Sequence, residues 1–166
     1  MPLQLTRFSL SYDPAEDRLA WDAEAAGGAI IRLWLTQRLC RDFVSALLPR
    51  LPKTTADVAP EHEATLQSWE QAAAMASFGH TPAVTYTPQA VSGLVRTVHI
   101  TPTPQNVTLV FEASDGEPAA ITLDAAALRQ MLAILHQLHA AAEWPVDAFP
   151  AWVASPAPAD GAAALN

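Results

Sequence analysis

The sequence predicts an α+β fold made of two βββα units, in the order βββα-α-βββα, with antiparallel sheets covered by helices and an approximate internal twofold. Three observations predict it. In each half, three successive runs alternate apolar and polar residues, the period of a strand with one buried face. Each third run passes directly into an apolar stripe of helical spacing. The pattern then recurs without a gap 88 positions later, setting Asp124 against Thr36, and both side chains accept hydrogen bonds from the unpaired N–H groups that open a helix.

Taken in order, Phe8, Leu10 and Tyr12 alternate with Arg7, Ser9 and Ser11, and Asp13-Pro14-Ala15-Glu16-Asp17 is turn chemistry. Leu19, Trp21 and Ala23 form the next run. Gly27-Gly28 tolerates positive φ, and Ile31, Leu33 and Leu35 complete a meander. The opposite face of that third strand carries Ile30, Arg32 and Trp34, so cover on both sides is expected. Beyond Thr36, the residues Leu39, Cys40, Phe43, Val44, Leu47 and Leu48 make one helical stripe, which Pro49 and Pro52 end. Lys53 to Ala59 reads as a loop. Pro60 suits the first turn of a middle helix, with Glu61 and Glu63 near its positive end and Leu66, Trp69, Ala73 and Ala76 as its inner stripe. Gly79 to Gly93 is an irregular crossing between the halves.

In the second half, Val98, Val107, Leu109, Phe111, Ile121 and Leu123 take the places of Leu10, Leu19, Trp21, Ala23, Leu33 and Leu35. Asp115-Gly116, a strong hairpin signal, replaces Gly27-Gly28. Leu128, Met131, Leu132 and Leu135 replace Cys40, Phe43, Val44 and Leu47. Agreement of turn, strand phase, cap and stripe in one register predicts two pseudo-repeats, at about 7–51 and about 95–139, within a single domain over residues 1–153. The prolines from Glu143 to Val153 exclude a regular helix there and predict an extended aromatic arm. Residues 154–166, mostly Ala, Pro and Gly, are expected to be a disordered tail.

Composition narrows the function classes. A chain of 166 residues buries a substantial core without disulfides, and Cys40, its one cysteine, falls on the apolar face of the first helix, where a buried thiol is expected. Nine basic against 17 acidic residues give a net charge of −8, which opposes adsorption to nucleic acid or anionic membrane. The start MPLQLTRFSLSYD has no secretory pattern, and no run approaches the length of a membrane span, so a cytoplasmic address and no membrane partner are expected.

No motif carries chemistry. His136 and His139 share a helix face, but no third ligand is fixed by spacing, and Glu61-His62-Glu63 adds none. Gly-x-Ser-x-Gly is missing, and Gly27-Gly28 leads into a strand instead of opening a helix, so neither a nucleophile elbow nor a phosphate loop is present. No catalytic residue, metal or cofactor is therefore expected, and a metal-dependent enzyme ranks third among the readings. Arg7, Arg18 and Arg32 with Trp34 form the one candidate strip for single-stranded nucleic acid. The element order is similar to that of duplicated sheet-helix single-strand binders of the Whirly and Pur type, which carry a fourth strand in each unit. That is the alternative reading. The favoured one is a non-catalytic protein-binding or assembly subunit, acting through sheet edges and through Trp34, Trp144, Phe149 and Trp152. Its partner is another protein or a second copy exchanging arms in a homodimer.

Overall fold

The computed structural model describes residues 1–53, 59–79 and 81–154. The expected tail beyond Ala154 and most of the expected loop after Lys53 lie outside the described residues. Strands β1 (Leu3–Asp13), β2 (Arg18–Ala25) and β3 (Ile30–Leu35) form an antiparallel meander that runs into helix α1 (Gln37–Leu47) and a single 3-10 turn, Leu48–Arg50. Helix α2 (Pro60–Ala76) follows. A second meander, β4 (Val91–Pro102), β5 (Asn106–Ala113) and β6 (Ala119–Asp124), runs into α3 (Ala125–Ala141), and one turn of helix, α4 (Ala151–Ala154), completes the described chain. No helix among the described residues is long and apolar enough to cross a membrane.

The caps behave as their chemistry dictates. Thr36 Oγ1 accepts from Leu39 N at 3.3 Å, and Asp124 Oδ1 accepts from Ala127 N at 2.8 Å. Each cap is the last residue of extended backbone, so strand becomes helix with no loop between.

The six strands close into one barrel, β1-β2-β3-β4-β5-β6, which corrects the expectation of antiparallel sheets covered by helices. Two parallel seams make the closure. β3 pairs with β4 from Ile31–Val91 to Trp34–Leu94, and β1 pairs with β6 at Leu3–Ala119 and Gln4–Ala120. Each meander alone would leave two edges of unpaired N–H and C=O groups, and joining edge to edge satisfies part of both. Trp21 fills the centre, with its ring centroid 4.3 Å from Phe8 and 4.7 Å from Phe111. Cys40, Phe43, Val44 and Leu47 of α1 and Leu128, Met131, Leu132 and Leu135 of α3 pack into the same core. Each such buried aliphatic or aromatic side chain contributes about 1.5–3 kcal/mol.

The uniform offset of 88 fails in one hairpin. Trp21 faces Leu33 and Leu109 faces Ile121, which preserves it, but Leu10 faces Trp21 whereas Val98 faces Phe111, a residue 90 positions beyond Trp21. The turns differ in kind. Asp13 Oδ1 accepts from Ala15 N and Glu16 N in the first, whereas Thr103 and Asn106 close a tight turn around Pro104-Gln105 in the second. A slip of two residues keeps every side chain on its own face, so alternation cannot reveal it.

Two local expectations also change. Trp69 is 63% exposed, and α2 turns Gln71 and Ala74 inward instead. The reason lies across the interface, where α3 offers a buried arginine. Gln71 Nε2 donates to Arg129 O at 2.9 Å, and the Arg129 guanidinium donates to Glu70 and Gln67. A polar stripe whose donors and carboxylate find partners on α3 outcompetes an apolar one that faces them. The arm is likewise not extended throughout, because after Pro150 the residues Ala151–Ala154 make a helical turn that buries Val153.

Candidate functional site

The barrel is closed unevenly. β6 leaves β1 after Gln4, at the point where β1 carries a bulge between Leu5 and Arg7. From Asp124 the chain turns back as α3, which lies against both β1 and β6. Between Thr6–Leu10 of β1, β6, α3 and Phe78, Gly79 and Thr81–Ala83 of the crossing segment remains a cleft of about 450 Å³. Its walls are mainly apolar, with Phe8, Leu10, Ile121, Met131 and Ile134 inside and Phe78, 52% exposed, at the lip. That volume falls in the range of sites for small ligands or single large side chains.

Hydrogen bonds tie the crossing segment to β1 and the end of α2 to α3. Arg7 Nη1 donates to Pro82 O at 3.0 Å, Val84 N donates to Ser9 Oγ at 2.8 Å, and Gln130 Nε2 donates to Ala74 O at 2.8 Å. Most polar side chains of the cleft are thus already engaged. Thr6 Oγ1 donates to Glu24 O, and the charge of Arg7 is met by Glu24 at 2.5 Å. A nucleophile needs an adjacent base, and none of these residues supplies one. What the cleft offers chemically is apolar surface.

The predicted site residues are placed as follows. Arg32 holds Asp22 through two bonds of 2.6 and 2.7 Å, which raises its already high pKa, and its guanidinium lies 5.1 Å from the Trp34 ring and 3.8 Å from the Tyr86 ring. Trp34 is half-buried. Arg7 is paired with Glu24, and Arg18 lies 3.8 Å from Glu16, so each arginine of the proposed nucleic-acid strip has a carboxylate beside it. Trp144 and Phe149 are buried in the chain's own core. Trp144 Nε1 donates to Asp17 Oδ1 at 3.0 Å, and the Tyr12 hydroxyl donates to the same oxygen, which raises the Tyr12 pKa. Trp152 is half-buried with its ring 5.1 Å from the Arg129 guanidinium. The structure therefore joins Arg32 with Trp34 and seats Trp144 and Phe149 together on His139, whereas Trp152 stands apart on α3.

Cys40 is fully buried, and burial pushes its thiol up to about 12. Among the described residues no cluster of three or more His, Cys, Asp or Glu is placed to hold a metal ion. Of the residues that line the cleft, Phe78 and Ile134 were not singled out by the sequence, and Leu10 was read only as part of a strand face. One signal was there: Ile134 lies outside the stripe that α3 shares with α1, an apolar surplus on an otherwise matched helix. No family model matches the chain, and neither a curated protein nor a solved structure matches it.

Proposed function

We propose that the protein is a non-catalytic binding subunit that holds an apolar segment of another protein in the cleft beside β1. One observation carries this reading: an apolar cleft of about 450 Å³, open at the exposed Phe78, most of whose polar side chains are already bonded within the chain. A site built this way favours the burial of a Leu, Met or aromatic side chain, and it offers no group to act on a bond. The open edge of β1 beyond Gln4 supplies main-chain groups beside the same cleft, the arrangement used to receive an extended peptide. In this reading Trp144 and Phe149 act indirectly, by fixing the arm, and residues 1–153 work as one domain. The two βββα halves are taken as copies of one unit, supported by the matching caps, the matching strand bulges and the pair of parallel seams.

The test is selection from a displayed random-peptide library, followed by NMR mapping of the enriched peptides. Apolar peptides are expected to shift the methyl signals of Met131 and Ile134, and Ile134→Lys is expected to abolish binding while leaving the spectrum of a folded protein. Enrichment of no apolar sequence, or shifts mapping away from the cleft, would overturn the proposal.

A further inference from the structure

A second cleft, of about 580 Å³ and polar where the first is apolar, lies between α1 and the end of α3. Arg38, Arg41, Asp42 and Ser45 of α1 line it, and His139 of α3 and Pro145 complete it. Two features of this cleft lack an internal explanation. The first is electrostatic. Helix α1 begins at Gln37 and has no acidic residue in its first turn, yet it carries Arg38 there and Arg41 one turn on, at the helix end whose dipole disfavours cations. Among the described residues Arg38 has no carboxylate within salt-bridge distance, and Arg41 has only Asp147, at 3.8 Å with both side chains largely exposed.

The second feature is His139. The residue is 1% exposed and is among those that line this cleft, with its ring packed against Trp144 and Phe149. Nδ1 lies 3.2 Å from Leu135 O, a pure acceptor, so Nδ1 carries the proton and donates it there. Nε2 is left with a lone pair and no partner among the described residues. Burial and the neighbouring His136 hold this imidazole below its ordinary pKa, so in the empty cleft it is neutral at neutral pH. The charged and titratable groups around it are Arg38, Arg41 and Asp42 from α1, His136 from its own helix, and Asp147 from the segment that follows.

We infer that this cleft binds an oxyanion, a phosphate or a carboxylate, held by Arg38 and Arg41 at the positive end of α1, and that binding brings a proton from solvent onto Nε2 of His139. The anion supplies the negative charge that the helix end and the two arginines lack, and it gives Nε2–H an acceptor. The coupling is reciprocal. If the anion favours protonated His139, protonation favours the anion, and affinity rises as the pH falls through the neutral range. Asp147 competes for Arg41, so the ligand must displace that weak contact to engage it, and Arg38, which has no such contact, is its principal partner.

The experiment is an NMR titration of the full chain with sulfate, a dianion whose own charge is constant across this range, and in parallel with acetate, at about pH 6 and about pH 8. The amides of Gln37 and Arg38 and the His139 imidazole are expected to shift saturably. Affinity is expected to be at least about fivefold higher at the lower pH, and Arg38→Gln to weaken it about tenfold or more. Arg38 is exposed, so this variant is not expected to perturb the fold. Tighter sulfate assigns the phosphate class and tighter acetate the carboxylate class. The inference is overturned if neither probe saturates, if Arg38→Gln binds as wild type does, or if affinity is the same at both pH values.

Discussion

Replacing Arg129 with Met is expected to loosen α2 without unfolding the barrel. Arg129 is 3% exposed, and its guanidinium donates to Glu70 Oε2, to Gln67 Oε1 and, at 3.3 Å, to Gln67 O, all on α2. Helix α2 packs chiefly on α3 and α4, so this cluster is its main specific anchor. Removing one partner of a buried ion pair costs about 3–5 kcal/mol, because the other charge is left unpaired. Glu70 keeps 19% of its side chain in solvent and regains part of its hydration, which lowers the cost to about 2–3 kcal/mol. Met retains the apolar stem of Arg, so lost packing adds little. Native-state hydrogen exchange reads this locally, and α2 amides are expected to exchange about 30- to 150-fold faster while the protection of β2 and β5 is unchanged. The double variant Arg129→Met with Glu70→Met should recover most of the loss, since no charge is then stranded. The reasoning is refuted if α2 exchanges within about threefold of wild type, or if the double variant is as loose as the sum of its parts.

In Gly93→Ala, the added Cβ would lie 2.9 Å from Ala113 Cβ and 3.0 Å from Asp115 O, so one backbone must move; a loss of about 1–3 kcal/mol in urea unfolding is expected, and a neutral result would show the seam to be pliable. His139 gives a pH dependence whose sign is fixed. Its folded pKa lies below 6.5, so the unfolded chain binds the proton more readily; its contribution to stability is complete above about pH 6.5 and is lost as the pH falls from there toward the folded value. In chloride buffers free of oxyanions, wild type should lose up to about 1.4 kcal/mol per pH unit more than His139→Gln in that window, and parallel curves would remove the effect.

Much of the fold was legible because it is written locally. Thr36 and Asp124 are caps whose chemistry requires no partner beyond the next turn, and the stripes Cys40–Leu47 and Leu128–Leu135 bury as their spacing demands. The features that escaped are those decided between elements. Trp69 has the spacing of an inward residue, yet Arg129, 60 positions later in the chain, determines which face of α2 turns in. The two-residue slip of β4 preserves the phase on which the expectation of a repeat rests. Closure into a barrel depends on the two meanders meeting at both edges, and alternation within a strand carries no record of its neighbour. The aromatic arm had two fates open to it, and core space beside His139 took Trp144 and Phe149. The cleft beside β1 was invisible for a related reason, since four separate segments contribute its walls.

Why the apolar cleft opens on one side of the barrel is itself a matter of register. The β3–β4 seam runs for four residue pairs, whereas the β1–β6 seam runs for two. Two missing pairs at about 3.3 Å each leave roughly 7 Å more strand edge without a sheet partner. At the longer seam that length is zipped by hydrogen bonds. At the shorter one it is bridged by α3, a helix of 17 residues where α1 has 11, and by the crossing segment that Arg7 and Ser9 hold in place. A helix covers an edge with side chains instead of pairing it with backbone, and side chains leave gaps of their own size. Ile134 and Phe78 border the gap that results. The halves share their caps and their core stripes, and the cleft opens where their seams stop matching.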